Sequence, residues 1–152
     1  MGRRPIPVAL AAVLAVAILL PAAASAAPPR VVQMNYWVLD HGPPPHTGLA
    51  AYVRRADSVG FSTVFKGKHA SAPGWFDDIG RGLASWRVRK HHTRGAKVYK
   101  LIRRSLHRRG SASVRIRARN GSGVDRVKFK MRLSDDCTKK GVDFLLNCVI
   151  HR

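Results

Sequence analysis

The chain has very little acid. Glutamate is absent, and eight aspartates face 28 lysines and arginines in 152 residues, which leaves a formal net charge of +20 at pH 7. Several motifs that carry chemistry are also missing: no serine lies in a nucleophile elbow, no glycine-rich phosphate loop is present, and no histidine pair has zincin spacing. These absences argue against the common hydrolase, nucleotide-binding and metalloprotease classes, and we predict no cofactor.

Only one long apolar run exists, and it lies at the N-terminus. Arg3 and Arg4 precede about 16 apolar residues, and small residues follow, with Ala24-Ser25-Ala26 at the positions that a signal peptidase reads. The run is shorter than the roughly 20 residues that a retained membrane anchor needs. We predict that residues 1–26 are a signal peptide cleaved near Ala26 and that the mature chain is secreted.

The mature chain has the size of one domain. Subtracting 26 residues from 152 leaves 126, and subtracting two arginines from a charge of +20 leaves +18. We predict a short lead at 27–30 and a single β-sandwich domain at 31–152.

Cysteine is scarce, with two in the chain, Cys137 and Cys148. Their spacing matches neither a redox motif nor a zinc motif. In an exported protein they should pair, and closing a loop of this size is worth about 3 kcal/mol in the chain-entropy model. We predict a structural disulfide that fastens the segment 142–146 onto the domain.

Apolar and polar residues alternate along much of the mature chain, which indicates a mostly β fold. Strands are predicted at 31–39, 49–55, 61–68 and 85–91. The stretch 69–82 holds Pro73 and three glycines and is predicted to be mainly a loop. One short helix is predicted at 97–107, where the apolar spacing becomes helical and Gly110 is placed to end it.

The strongest pattern lies between residues 113 and 133. Apolar residues alternate with cations in two runs, and Asn120-Gly121-Ser122-Gly123 between them suits a hairpin turn. We predict a β-hairpin with its apolar residues inward and its cations on the solvent side. The predicted polyanion-binding residues are Arg115, Arg117, Arg119, Arg126, Lys128, Lys130 and Arg132.

From about residue 86 to residue 134 the chain resembles the second half of exported bacterial immunoglobulin-like β-sandwich modules. The matching residues are Trp86-Arg87-Val88-Arg89, Leu101-Ile102-Arg103-Arg104-Ser105-Leu106, Gly110, Val114-Arg115-Ile116-Arg117-Ala118-Arg119-Asn120, Gly123 and Val127-Lys128-Phe129-Lys130-Met131. The resemblance implies an immunoglobulin-like antiparallel sandwich and no particular chemistry. With the periodicity and the cysteines, it predicts a mostly β fold with one short helix and a C-terminal segment closed by a disulfide.

The predicted hairpin indicates a binding function. Like charges across a strand pair destabilise it, and Asp125 is expected only at the edge of the face, so a compensating anion is a reasonable partner. Cell-wall polymers, nucleic acid, lipopolysaccharide and acidic membrane surfaces would all be attracted through counterion release. The alternative is a solvated face without a partner. Phe129 points inward, so this face has no ring on which single-stranded bases could stack.

Four arginines just before the hairpin could extend its basic surface. They are Arg103, Arg104, Arg108 and Arg109.

The histidines leave two other hypotheses open. A small secreted nuclease-like hydrolase would need a histidine acid, a base and a cation, and no spacing here brings two histidines together. Asp40, His41 and His46 are a weak metal candidate, and His91 and His92 are adjacent. A cationic toxin or antimicrobial protein is a third interpretation. No catalytic residue and no metal ligand is assigned.

For two further sets of residues, a structural role is the first interpretation. Trp37, Trp75 and Trp86 are predicted as core or loop anchors, with a sugar-binding platform as the alternative. The adjacent carboxylates 77–78 and 135–136 are expected to diverge, and the second pair to cap a turn or pair with surface cations.

Overall fold

A computed structural model describes residues 27–39, 46–80, 83–140 and 144–152. The predicted signal peptide, 1–26, lies outside these ranges. The strands are β1 Arg30–Leu39, β2 His46–Arg54, β3 Ser58–Phe65, β4 Lys68–Pro73, β5 Trp75–Gly80, β6 Leu83–Arg87, β7 Ser111–Asn120, β8 Gly123–Arg132, β9 Cys137–Lys140 and β10 Phe144–His151. The helix α1 is Thr93–Arg109.

The strands form two antiparallel sheets in an open, sandwich-like arrangement, so the predicted mostly β fold is confirmed. The six-stranded sheet has the order β5-β6-β2-β1-β10-β9, and the four-stranded sheet has the order β4-β3-β7-β8. Residues that face the space between the sheets form one continuous core, in which Met34, Tyr36, Phe61 and Ile116 are at most 1% exposed. The immunoglobulin-like resemblance stays a prediction.

The predicted hairpin is present as β7 and β8. Asn120 pairs with Gly123 across the turn, and the Asn120 Oδ1 atom accepts hydrogen bonds from the backbone N–H groups of Ser122 (2.8 Å) and Gly123 (3.1 Å). This side-chain acceptor satisfies turn N–H groups and holds the register of the two strands. The inward positions are Val114, Ile116, Ala118, Val127, Phe129 and Met131, and all but the half-buried Val127 are buried.

The helix is longer than predicted and closes one side of the core. Its apolar stripe, with Val98, Ile102 and Leu106 buried, packs against β3, β4 and β7. The Tyr99 hydroxyl donates to the Val88 carbonyl and accepts from the Leu49 N–H, both at 2.8 Å, and so ties the helix to the six-stranded sheet. Gly110 ends the helix as predicted, in the left-handed region that favours glycine (φ 64°).

The predicted loop at 69–82 is wrong, because most of this stretch forms the strands β4 and β5. Ala70 and Ala72 face inward and His69 and Ser71 face outward, an alternation that small side chains made weak in the sequence. Pro73 ends β4, and the Gly74 N–H donates to the Val59 carbonyl (2.6 Å) where the chain passes from one sheet to the other. Proline and glycine therefore mark the boundary between two strands here. Residues 81–82 lie outside the described ranges.

The C-terminal segment is fastened as the cysteines predicted. Cys137 on β9 lies opposite Cys148 on β10, with a disulfide between them and 4.0 Å between their Cα atoms. The strand β10 pairs with β1 inside the six-stranded sheet, so the disulfide joins the edge strand β9 to an inner strand. Of the predicted fastened segment, residues 142 and 143 lie outside the described ranges. No described helix combines the length and the apolar character that crossing a bilayer would need.

Candidate functional site

The cations of the hairpin all lie on the outer surface of the four-stranded sheet. We call this surface the basic face and define it by Arg115, Arg117, Arg119, Arg126, Lys128, Lys130 and Arg132. All seven are exposed, because the residues that alternate with them are turned toward the core. The predicted separation of apolar and cationic residues is therefore present.

Strand register brings cations directly opposite each other. Arg115 lies opposite Lys128, and Arg117 lies opposite Arg126. Side chains in such positions have Cβ atoms about 4.5–5.5 Å apart, a distance at which like charges destabilise the strand pair. The arrangement concentrates positive charge at the middle of the hairpin.

Carboxylates do little to neutralise the basic face. Arg132 pairs with Asp135 at 3.5 Å at one end, and the other six cations form no ion pair with a carboxylate of the described residues. Asp125 points inward, where its Oδ2 atom accepts from the Val31 N–H (2.8 Å) and from the Arg152 guanidinium (2.6 Å). Its charge is therefore used to join the hairpin to β1 and the C-terminus.

The second aspartate pair behaves as expected for turn residues. Asp135 contacts Arg132, and the Asp136 Oδ2 atom accepts from the Arg132 backbone N–H at 2.7 Å. Both carboxylates lie in the turn after β8.

A strip of small residues runs beside the cations. On β3 the outward positions that pair with β7 are Ser58, Gly60 and Ser62, which lie opposite Arg119, Arg117 and Arg115. A Cβ atom placed on Gly60 would meet nothing within 4 Å, so the strip is open to solvent. A hollow of about 410 Å³ follows it, with Arg94 from the helix among its lining residues. Sequence reasoning missed this groove because alternation alone does not place β3 beside β7.

Three of the four arginines upstream of the hairpin line a different hollow. The buried side of their helix packs against β3, β4 and β7. Arg103, Arg104 and Arg108 line a separate hollow of about 490 Å³ with Phe65 and Lys66. None of the seven cations of the basic face lines this hollow, and the suggested extension of the basic surface stays a prediction.

Three histidines share one cleft, although no spacing in the sequence brought them together. His46, His91 and His92 line a cavity of about 900 Å³ with Trp37, Trp75, Arg87 and Arg89. We call this cavity the Trp–Arg cleft. Asp40 and His41 lie outside the described ranges, so the metal hypothesis that includes them is untested. Within those ranges no cluster of three or more histidine, cysteine or aspartate side chains is placed to hold a metal ion.

The three tryptophans have different environments. Trp86 is 8% exposed and is a core residue as predicted, with the Phe76 ring edge-on at 5.7 Å. Trp37 is half-buried and Trp75 is 41% exposed, and both line the cleft on the outer face of the six-stranded sheet. Of the first aspartate pair, Asp77 forms an ion pair with Arg87 at 3.0 Å.

The basic face offers guanidinium and ammonium donors, which bind phosphate, sulfate and carboxylate groups. Arginine can do so through two parallel hydrogen bonds, and the open groove lets an extended chain approach the sheet. Comparison with known protein families, characterised proteins and solved structures finds no match for this chain.

Proposed function

We propose that the mature chain is an exported binding or structural module without enzymatic activity, and that its basic face contacts an anionic polymer or surface. Cell-wall polymers, nucleic acid and acidic membrane surfaces carry the required charge. Export is proposed from the N-terminal apolar run, and a disulfide is the form that cysteines take in oxidising compartments. The module needs no small-molecule cofactor.

One observation carries the proposal: two pairs of like charges oppose each other across the hairpin, on a face that carboxylates leave largely unneutralised. The repulsion destabilises the free module by a few tenths of a kcal/mol or more for each pair. A polyanion along the face would offset this repulsion and release its own counterions, which favours binding. The groove of Ser58, Gly60 and Ser62 gives a chain room beside the arginines.

Salt dependence of binding tests the proposal. The mature chain is titrated with a fluorescent DNA duplex of about 20 base pairs at several salt concentrations. Seven phosphate contacts predict a slope near −6 in a plot of log affinity against log salt. A flat plot would contradict the proposal, because bulk attraction without close contacts releases few counterions.

Two variants of equal charge separate the basic face from net charge. In the first, Arg117, Arg126 and Lys128 are replaced by glutamine, and the slope should fall to about −4. In the second, the helix residues Arg103, Arg104 and Arg108 are replaced by glutamine, and the slope should stay near that of the unmodified chain. If both variants lose affinity and slope equally, the basic face is not the binding surface.

A second candidate function is a nuclease-like hydrolase that acts at the Trp–Arg cleft. The observation in its favour is that His46, His91 and His92 line the same cleft as Arg87, which supplies the groups that acid–base cleavage of RNA requires. Cleavage of RNA without added metal, lost on replacing any one of the histidines by alanine, would support it. If RNA is not cleaved above background, the result contradicts the nuclease-like candidate and favours the binding module.

A further inference from the structure

The Trp–Arg cleft is separate from the basic face, because it opens on the outer face of the other sheet. Trp37 comes from β1, Trp75 from β5 and Arg87 from β6, and Arg89 follows β6. Register places Trp75 opposite Arg87, and the Arg87 guanidinium lies 5.2 Å from the Trp37 ring centroid. Arg87 therefore lies over the Trp37 ring and is also the cross-strand partner of Trp75. The volume of about 900 Å³ is within the range of small-ligand sites.

The Trp37 ring packs against the backbone of β2 at Gly48. Gly48 lies opposite Trp37 in the register, and any Cβ atom at Gly48 would overlap the six-membered part of the indole. The indole therefore covers the backbone of β2, and only a glycine leaves room for it there. This packing fixes the ring without any contribution from a ligand.

An arginine lies over the second ring, that of Trp75. The Arg89 guanidinium lies 4.0 Å from the Trp75 ring centroid, a cation–π contact, and Trp75 remains 41% exposed. Arginine planes are surfaces on which nucleobases stack, as they stack on aromatic rings. The cleft thus offers indole rings and guanidinium groups as stacking surfaces, with guanidinium N–H donors beside them.

The charge of the cleft favours an anionic ligand. Arg87, Arg89 and Lys90 are the cations among its lining residues, and none of the described lining residues is acidic. Asp77 contacts Arg87 from outside this lining and neutralises part of its charge. Sites for single-stranded nucleic acids combine surfaces on which bases stack with cations that contact the backbone phosphates. Arg89 covers one face of the Trp75 indole, and a base, unlike a sugar ring, can stack on that guanidinium as well as on an indole.

We propose that the Trp–Arg cleft binds single-stranded nucleic acid. Bases stack on the layers formed by Trp75 with Arg89 and by Trp37 with Arg87, and the arginine edges and the histidines contact phosphates. This site is independent of the proposed function of the basic face, and binding there requires no cleavage.

Intrinsic tryptophan fluorescence tests the proposal directly. The mature chain is titrated with a ten-residue oligo(dT), which lacks the 2′-hydroxyl that ribonuclease chemistry uses. Stacking should quench the emission, and replacing Trp75 by leucine should weaken binding of the oligonucleotide about tenfold. Arg89→Lys keeps the charge but loses the planar layer, so it should also weaken binding while the salt dependence changes little.

The basic-face variant with Arg117, Arg126 and Lys128 replaced by glutamine is the matched control. It should keep the Trp75-dependent quenching, which distinguishes failure of this inference from failure of the proposed function. Equal binding of oligo(dT) by the basic-face variant with and without Trp75→Leu would overturn the inference, because the weakened basic face then no longer masks the cleft. So would Trp75-dependent quenching by polygalacturonate at lower concentration than by oligo(dT), because the ligand would then be an acidic saccharide. Thermal melts of each variant verify that it is folded.

Discussion

The outer faces of the two sheets hold their cations in different ways. On the four-stranded sheet, Arg117 and Arg126 oppose each other across the hairpin, and neither forms an ion pair with a carboxylate in the described part of the chain. On the six-stranded sheet, Arg87 forms an ion pair with Asp77 and lies over Trp37, and Arg89 lies over Trp75. Six of the seven cations on the first face form no ion pair with a described carboxylate, whereas on the second face Arg87 and Arg89 contact an aspartate or an indole ring.

This difference separates two roles for positive charge. Paired and stacked arginines contribute to the stability of the free chain and shape a cleft. Opposed arginines destabilise the free chain, and in the proposed function a bound anion would offset that repulsion. Net charge alone would not distinguish the two faces.

The largest expected effect concerns the core that supports both faces. Burial raises the pKa of Tyr36 from 10.0 to about 12, and burial raises the pKa of Tyr99 further. Above pH 10 the folded chain therefore keeps protons that the unfolded chain has released, and the free energy of unfolding falls as pH rises. Each tyrosine contributes a loss of about 1.4 kcal/mol per pH unit. Urea unfolding at pH 8 to 11 measures it.

Tyr36→Phe is the control for this effect, because it removes one of the two titrations and leaves the lysines unchanged. Its loss of stability per pH unit above pH 10 should be about half that of the unmodified chain. Identical pH profiles of the two chains would show that the burial of Tyr36 does not govern alkaline stability.

A pair of glycine substitutions sharpens the contrast between the faces. Gly48→Val should destabilise the chain by about 2 kcal/mol, because the Trp37 ring occupies the space of the new side chain. Gly60→Val, on the basic face, should leave stability unchanged or raise it by up to about 1 kcal/mol, since its Cβ meets open space and glycine weakens a strand. Urea midpoints compare the two. Equal losses would remove the structural distinction between the two positions.

The smallest expected effects have opposite signs. Arg117→Thr relieves repulsion with Arg126 and should stabilise the chain by about 0.5 kcal/mol at low salt. Arg87→Thr removes an ion pair and a ring contact and should destabilise it by about 0.5–1 kcal/mol. In 1 M salt the gain from Arg117→Thr should nearly vanish, because the screening length is then about 3 Å. Effects of the same sign at low salt would contradict the comparison.

The basic face could be predicted from the sequence because its signal is local. Two adjacent strands alternate in period two, and the turn from Asn120 to Gly123 fixes their register. Even the inward direction of Asp125 follows from its parity with Val127, although only its place at the edge of the face was predicted.

The Trp–Arg cleft could not be predicted in the same way. Its residues come from β1, β2, β5, β6, the segment after β6 and the helix, and no periodicity specifies that β2 lies between β1 and β6. The stretch that carries Trp75 is predicted to be mainly a loop, because Pro73 and three glycines lie within residues 69–82. Register between distant strands is set by packing of the whole core, which a single sequence does not display.

The most direct measurement of the central claim is an NMR titration of the isotopically labelled mature chain with a short DNA duplex. We expect the largest amide shifts in β7 and β8, between residues 111 and 132, and in the neighbouring strand β3. The shifts should diminish as salt is raised. Shifts spread evenly over the helix arginines and both sheets would contradict the account, because bulk charge would then attract the polyanion without a defined face.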